Sequence, residues 1–270
     1  MVQLTQEDLQ RIVVLEGPPF SGKTTLLNYL AEKYIDEFVV IKETSEYIGG
    51  DQNGPKVPYK TYVDAKAGTH FLLEVERRRW LDIIEALTKT NKIVVVDRYL
   101  PLSSSAFFVA IENIFADWHQ FNTSLFDYSL SLYDSAKNAE IIADPSLFIF
   151  LYPENRSVFE SRLPRGAQNG FFMKWENCEI VIDYYSKVFS KELLASRTLL
   201  LASNNNPEFL EEAVLKIRLF LKVLRKSTQI DLVTLLRKDN KLNIDYESEV
   251  IEYAGDIMKA KVIMEKVNTI

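Results

Sequence analysis

Residues 11–25 read RIVVLEGPPFSGKTT, and this stretch decides the fold. Its centre, Gly17-Pro18-Pro19-Phe20-Ser21-Gly22-Lys23-Thr24, satisfies G-x-x-x-x-G-K-[ST] without a mismatch. Average residue usage gives such a match by chance about once per hundred chains of this length. Context sharpens the reading. Residues 11–15 are a continuous β-type run, and residues 24–34 space their apolar side chains with the period of a helix. Strand, glycine-rich turn and helix in that order make an anion cradle: glycines let backbone N–H groups turn inward, and the helix adds its positive end. In such a cradle Lys23 reaches the β- and γ-phosphates, and the Thr24 hydroxyl ligates Mg²⁺. The expectation is a nucleoside triphosphate held by residues 17–25, Thr25 included.

Four further apolar runs lie outward of this one, at residues 38–41, 92–96, 147–151 and 198–201. None alternates apolar with polar, which suits strands buried on both faces of a parallel sheet. Between them, residues 69–87 and 208–224 repeat apolar side chains at helical spacing. Strands alternating with helices mean βαβ units, hence an α/β fold with about five parallel strands flanked by helices. Residues 48–68, rich in Gly, Pro and Lys, read as a long mobile connection. Residues 1–225 read as one domain and 226–270 as a helical C-terminal extension packed on it, too short to bury much surface alone.

Composition narrows the chemistry. The chain has 270 residues, 47% hydrophobic and 26% charged, with a net charge of −6; an acidic molecule is a poor candidate for binding polymeric nucleic acid. One cysteine and two histidines supply neither a disulfide nor a Cys/His metal cage. No apolar run approaches the roughly 20 residues of a membrane span, and MVQLTQEDLQ lacks the core of a signal peptide. A soluble protein of a reducing compartment, the cytoplasm, is expected.

The acid that completes a magnesium site belongs at the end of another buried strand, and Asp97 closes KIVVVD with Arg98 and Tyr99 directly after it. Glu43, preceded by Lys42, ends the second run, at the strand edge where open α/β sheets bind ligands. A carboxylate there can take a proton from a hydroxyl during phosphoryl transfer. Arg77, Arg78 and Arg79 are successive on a helix and turn about 100° per residue, so they cannot share one direction. Arg162 and Arg165 lie three apart, and their planar guanidinium groups suit charge on a transferring phosphoryl group.

The glycine-rich loop, the VVVDRY run and Arg77 twenty residues before Asp97 together resemble the thymidylate kinase and deoxynucleoside kinase families, over roughly residues 10–224. The resemblance implies a P-loop kinase fold with a lid at about residues 162–175, where Arg162 and Arg165 close over the transferring phosphate. It implies Arg98 on the acceptor's phosphate, Arg77 on the acceptor's base, and residues 203–206 around adenine. The cofactors implied are ATP and Mg²⁺, and the acceptor is a small nucleoside or nucleotide. The chain departs from the thymidylate kinase pattern at Pro19, where an aspartate is usual, at Leu73, where an aromatic is usual, and at Lys42-Glu43, where Arg-Glu is usual. The first expectation is ATP-dependent phosphoryl transfer to a nucleoside monophosphate. A nucleoside kinase with Glu43 as base is the alternative, and a nucleotide-hydrolysing switch acting through a protein partner is a third. No membrane partner is expected, and a homodimer stays open.

Overall fold

The computed structural model describes residues 4–50, 53–55, 61–114, 119–138, 144–164 and 171–224. A short helix α1 (Gln6–Leu9) leads into β1 (Ile12–Glu16), and the glycine-rich turn then opens α2 (Lys23–Lys33). β2 (Phe38–Ile41) is followed by one helical turn, α3 (Thr44–Tyr47), and by the long α4 (Tyr62–Lys89). β3 (Ile93–Asp97) leads to α5 (Leu100–Ile114) and α6 (His119–Asn138), and β4 (Leu147–Pro153) to α7 (Arg156–Ser161). A 3₁₀ turn (Phe171–Met173), α8 (Trp175–Phe189) and α9 (Glu192–Ala195) precede β5 (Thr198–Ser203) and α10 (Phe209–Leu224).

The five strands form one all-parallel sheet in the order β2-β3-β1-β4-β5. Val14 of β1 is in register with Val96 of β3 on one side and Phe148 of β4 on the other. Because successive side chains point to opposite faces, the apolar runs feed two cores. On one face Ile12, Val14, Val94, Val96, Phe148 and Phe150 meet side chains of α4, α5, α6 and α8. On the other Val13, Leu15, Val95, Ile149 and Leu151 meet Leu26, Leu27 and Leu30 of α2 and Val214, Ile217 and Leu221 of α10. Each fully buried Leu or Ile contributes about 1.5–3 kcal/mol relative to exposure, so a few such residues fix each helix on the sheet.

The connection read at residues 48–68 is shorter than its composition suggests. Helix α4 starts at Tyr62, seven residues before the expected start, because the Thr61 hydroxyl accepts the Asp64 backbone N–H and caps it. Among the described residues no helix is long and apolar enough to cross a membrane. Residues 226–270 lie outside the described chain, as do 165–170 of the lid and Arg165 with them.

Candidate active site

The sheet reverses its strand order around β1, with β2 and β3 on one side and β4 and β5 on the other. Such a switch point leaves a crevice at the carboxyl ends of the strands. The glycine-rich loop lies there. Gly17 has φ +151°, and a methyl group placed on it would sit 1.9 Å from the carbonyl oxygen of Leu151, so no other residue fits. Gly22 caps α2 with φ +96°, and Phe20 takes φ +60° while its ring packs edge-on against Phe159. Ser21 is buried, whereas Thr24 and Thr25 on the first turn of α2 are exposed.

Lys23 is buried and donates to the carbonyl oxygens of Gly17 at 2.9 Å and Pro18 at 2.8 Å. Burial and then the neighbouring Arg98 pull its pKa down to about 7, against the attraction of Asp97, Glu16 and Glu43. Asp97 at the end of β3 is 4% exposed, and its Oδ1 has no hydrogen-bond partner. Burial raises its pKa, and Lys23 and Arg98 oppose that. A buried carboxylate oxygen left without a donor beside the phosphate cradle fits a divalent cation. Among the described residues no cluster of three or more His, Cys, Asp or Glu forms a metal cage. Asp97 and Thr24, with water and phosphate oxygens, therefore suit Mg²⁺, which keeps most of its ligands outside the protein.

Glu43 and Arg98 meet across the ends of β2 and β3. Arg98 Nε donates to Oε2 of Glu43 at 3.1 Å, its Nη1 to the Gly17 carbonyl at 3.3 Å, and the Ser45 hydroxyl to Oε1 of Glu43 at 2.7 Å. Burial acts to raise the pKa of Glu43, but Arg98, Ser45 and Lys23 outweigh it and hold the carboxyl below its ordinary value. Burial likewise acts against the charge on Arg98, but Tyr185, Glu43, Glu16 and Asp97 prevail and keep it protonated.

The other expected cations stand elsewhere. Lys42 is exposed and pairs with Glu46 at 3.5 Å. Arg77 lies with 54% of its side chain accessible, paired with Glu74 at 3.4 Å, and Arg78 is exposed as well. Of the three successive arginines it is Arg79 that turns inward. Its Nε donates to the Lys42 carbonyl at 2.8 Å, Nη1 to Glu76 at 2.5 Å, and Nη2 to the carbonyls of Asp97 at 2.6 Å and Arg98 at 3.2 Å.

Glu16, the last residue of β1, is a second group that sequence reasoning missed. Its carboxylate is fully buried and accepts from the Tyr99 backbone N–H at 2.6 Å, the Ser103 hydroxyl at 3.0 Å and the Tyr185 hydroxyl at 2.7 Å. Burial raises its pKa; Arg98 and these donors oppose the rise.

On the far side of β1, Arg162 follows α7 and bridges two loops. Its Nη1 donates to Ser21 O and Ser203 Oγ, both at 2.8 Å, and its Nη2 to Asn204 O at 2.7 Å. Ser203 Oγ in turn donates to Ser21 O at 2.7 Å. The arginine thus joins the phosphate loop to the turn after β5. Cys178 is buried, and burial pushes its thiol up to about 12, which leaves it inert at neutral pH.

No protein-family model matches the chain. No curated protein matches it either. Among solved structures, a thymidylate kinase from Candida albicans superposes with a TM-score of 0.53 and 15% identity, over 78% of this chain and 91% of that one. This likeness supports a P-loop kinase-like fold.

Proposed function

We propose that the protein is an ATP-dependent kinase whose acceptor lies against Glu43 and Arg98. The observation that carries this reading is the Arg98 guanidinium spanning from Glu43 to the Gly17 carbonyl, which joins an acceptor-side carboxylate to the triphosphate cradle. ATP would lie on residues 17–25, with its base toward Asn204. Lys23 would neutralise γ-phosphate charge, while Thr24 and Asp97 hold Mg²⁺, whose role is to bridge and polarise the phosphates. Glu43, charged at neutral pH, would accept the proton of the attacking hydroxyl.

Of the two acceptor classes, the geometry favours a nucleoside over its monophosphate. A dianionic acceptor beside a triphosphate needs surplus positive charge. Lys42 and Arg77 pair on the surface, and Arg98 is balanced by Glu43, so the described acceptor side offers no surplus. The monophosphate reading draws its support from the fold likeness to a thymidylate kinase. The test is transfer of radiolabelled γ-phosphate from ATP to a panel of nucleosides and the matching monophosphates, in wild type and Glu43→Gln. Faster transfer to nucleosides, lost in the variant, is expected. Faster transfer to monophosphates would move the assignment to the nucleotide kinases, and ATP consumption without any acceptor would favour a hydrolytic switch.

A further inference from the structure

Arg79 is fully buried, and its partners are not those of a substrate-binding group. Three of them are main-chain carbonyls at the ends of two different strands. Lys42 follows β2 and precedes Glu43; Asp97 closes β3, and Arg98 comes next. A planar guanidinium with donors at fixed angles can span these oxygens at once, whereas a lysine ammonium presents a single point. The fourth partner, Glu76, is 1% exposed and neutralises the charge, as a buried ion requires.

A second observation concerns the residue being held. Arg98 has φ +65°, a left-handed conformation that a branched-free but bulky side chain adopts only where its surroundings impose it. Its N–H donates to the Leu15 carbonyl at 3.0 Å, its own carbonyl accepts from Arg79, and the next N–H, that of Tyr99, is taken by Glu16. The kink is clamped from both sides. The clamp aims the Arg98 side chain across to Glu43 and Gly17.

Resting on the kinase reading above, we propose that Arg79 is a positioning residue for phosphoryl transfer: it locks the strand ends that carry Glu43, Asp97 and Arg98 into one register while touching no substrate. None of its partners belongs to the phosphate loop, so binding of metal-free nucleotide and acceptor alignment separate in its variants.

The test replaces the buried pair together, Arg79→Met with Glu76→Leu, so that no lone charge is left inside; Arg79→Lys, which keeps the charge but not the geometry, is made alongside. Three readouts are taken: kcat and KM for the acceptor, affinity for a non-hydrolysable ATP analogue without Mg²⁺, and amide exchange at Arg98 and Tyr99 against Val94, Val95 and Val96. Expected are a fall in kcat of about 10²-fold, the cost of a misplacement near 1 Å, unchanged affinity for the analogue, and lost protection at Arg98 and Tyr99 alone. Unchanged kcat, or unchanged protection at those two amides, in either folded variant overturns the proposal. So does equal loss of protection across 94–99, which marks a merely structural role. If the double variant does not fold, Arg79→Lys decides by the same readouts. A wild type that phosphorylates no acceptor overturns the kinase reading itself, whereas an active wild type with unperturbed variants overturns this proposal alone.

Discussion

The Tyr185 hydroxyl donates to Oε2 of Glu16 at 2.7 Å, with both residues buried. It ties α8 to the end of β1, immediately before the phosphate loop. A carboxylate taken out of water survives as an ion only when donors replace the lost hydration, and here a tyrosine, a serine and a backbone amide do so.

Removing the tyrosine donor should therefore cost stability in a pH-dependent way. Burial raises the pKa of Glu16, so the folded protein holds this proton more tightly than the unfolded chain does. The stabilisation from that proton is present below the ordinary glutamate value and fades as pH rises through the folded one. Above that range the ion depends on its donors. Tyr185→Phe is expected to lose about 1–3 kcal/mol, more at about pH 8 than at about pH 5. Urea unfolding at the two pH values checks this; equal losses would contradict it.

On the kinase reading, Lys23 should link nucleotide binding to a proton. With its pKa drawn down to about 7, first by burial, the amine is largely neutral in mildly alkaline solution. Phosphate oxygens beside it favour the charged form, so binding takes up a proton. Calorimetry of ATP binding at about pH 8, in buffers of differing ionisation enthalpy, should give apparent enthalpies that track proton uptake. Lys23→Met should abolish that dependence, and Lys23→Ala should lose nearly all transfer while keeping its circular dichroism spectrum. Buffer-independent enthalpies in wild type would refute the coupling.

Gly17 tolerates no side chain. Its φ of +151° and the 1.9 Å approach of a methyl to Leu151 O predict that Gly17→Ala is destabilised by on the order of 3 kcal/mol. Thermal unfolding should show a clearly lowered midpoint. A midpoint matching wild type would mean that the loop and β4 are not in contact.

Arg162 is expected to matter for the donor rather than the acceptor, since its partners are Phe20, Ser21, Ser203 and Asn204. Charged hydrogen bonds contribute about 1.5–3 kcal/mol, so Arg162→Ala should raise KM for ATP by about tenfold or more. KM for the acceptor should stay unchanged. Steady-state kinetics with each substrate varied in turn decide, and a rise confined to the acceptor would be the contrary result.

The sheet was legible because β1, β3 and β4, buried on both faces, need continuous apolar runs, and the five runs lie within two residues of β1 to β5; the edge strand β5 departs from the expected burial, since it leaves Leu200 exposed. The loop was legible because its geometry admits so few sequences. What escaped were charged residues inside apolar patterns. Glu76 and Arg79 fall on the buried stripe of α4 with Leu73, Trp80, Ile83 and Leu87, and that spacing was the signal for which arginine turns inward. Glu16 closes an all-apolar strand, and nothing local announces donors from residues 99, 103 and 185. The start of α4 was hidden by Gly68 and nearby lysines, although Thr61-x-x-Asp64 is itself a helix-start signature. Arg162 was expected over the phosphate; the turn it reaches after β5 lies 41 residues further on, beyond any spacing rule.

On the kinase reading, the strand order would set the acceptor's fittings and those of the donor's base on opposite flanks of β1. Glu43 and Arg98 follow β2 and β3, Asp97 closes β3 and Arg79 lies on α4, whereas Arg162, Ser203 and Asn204 belong to segments around β4 and β5. Within the sheet the flanks meet only at the central strand, although α8 packs with α4, α5 and α6 in one core. On the kinase reading, inherited changes around Glu43, away from the Mg²⁺-holding Asp97, would alter which molecule receives the phosphate while leaving the fuel untouched, so descendants of such a chain would be free to change their clients without renegotiating their supply.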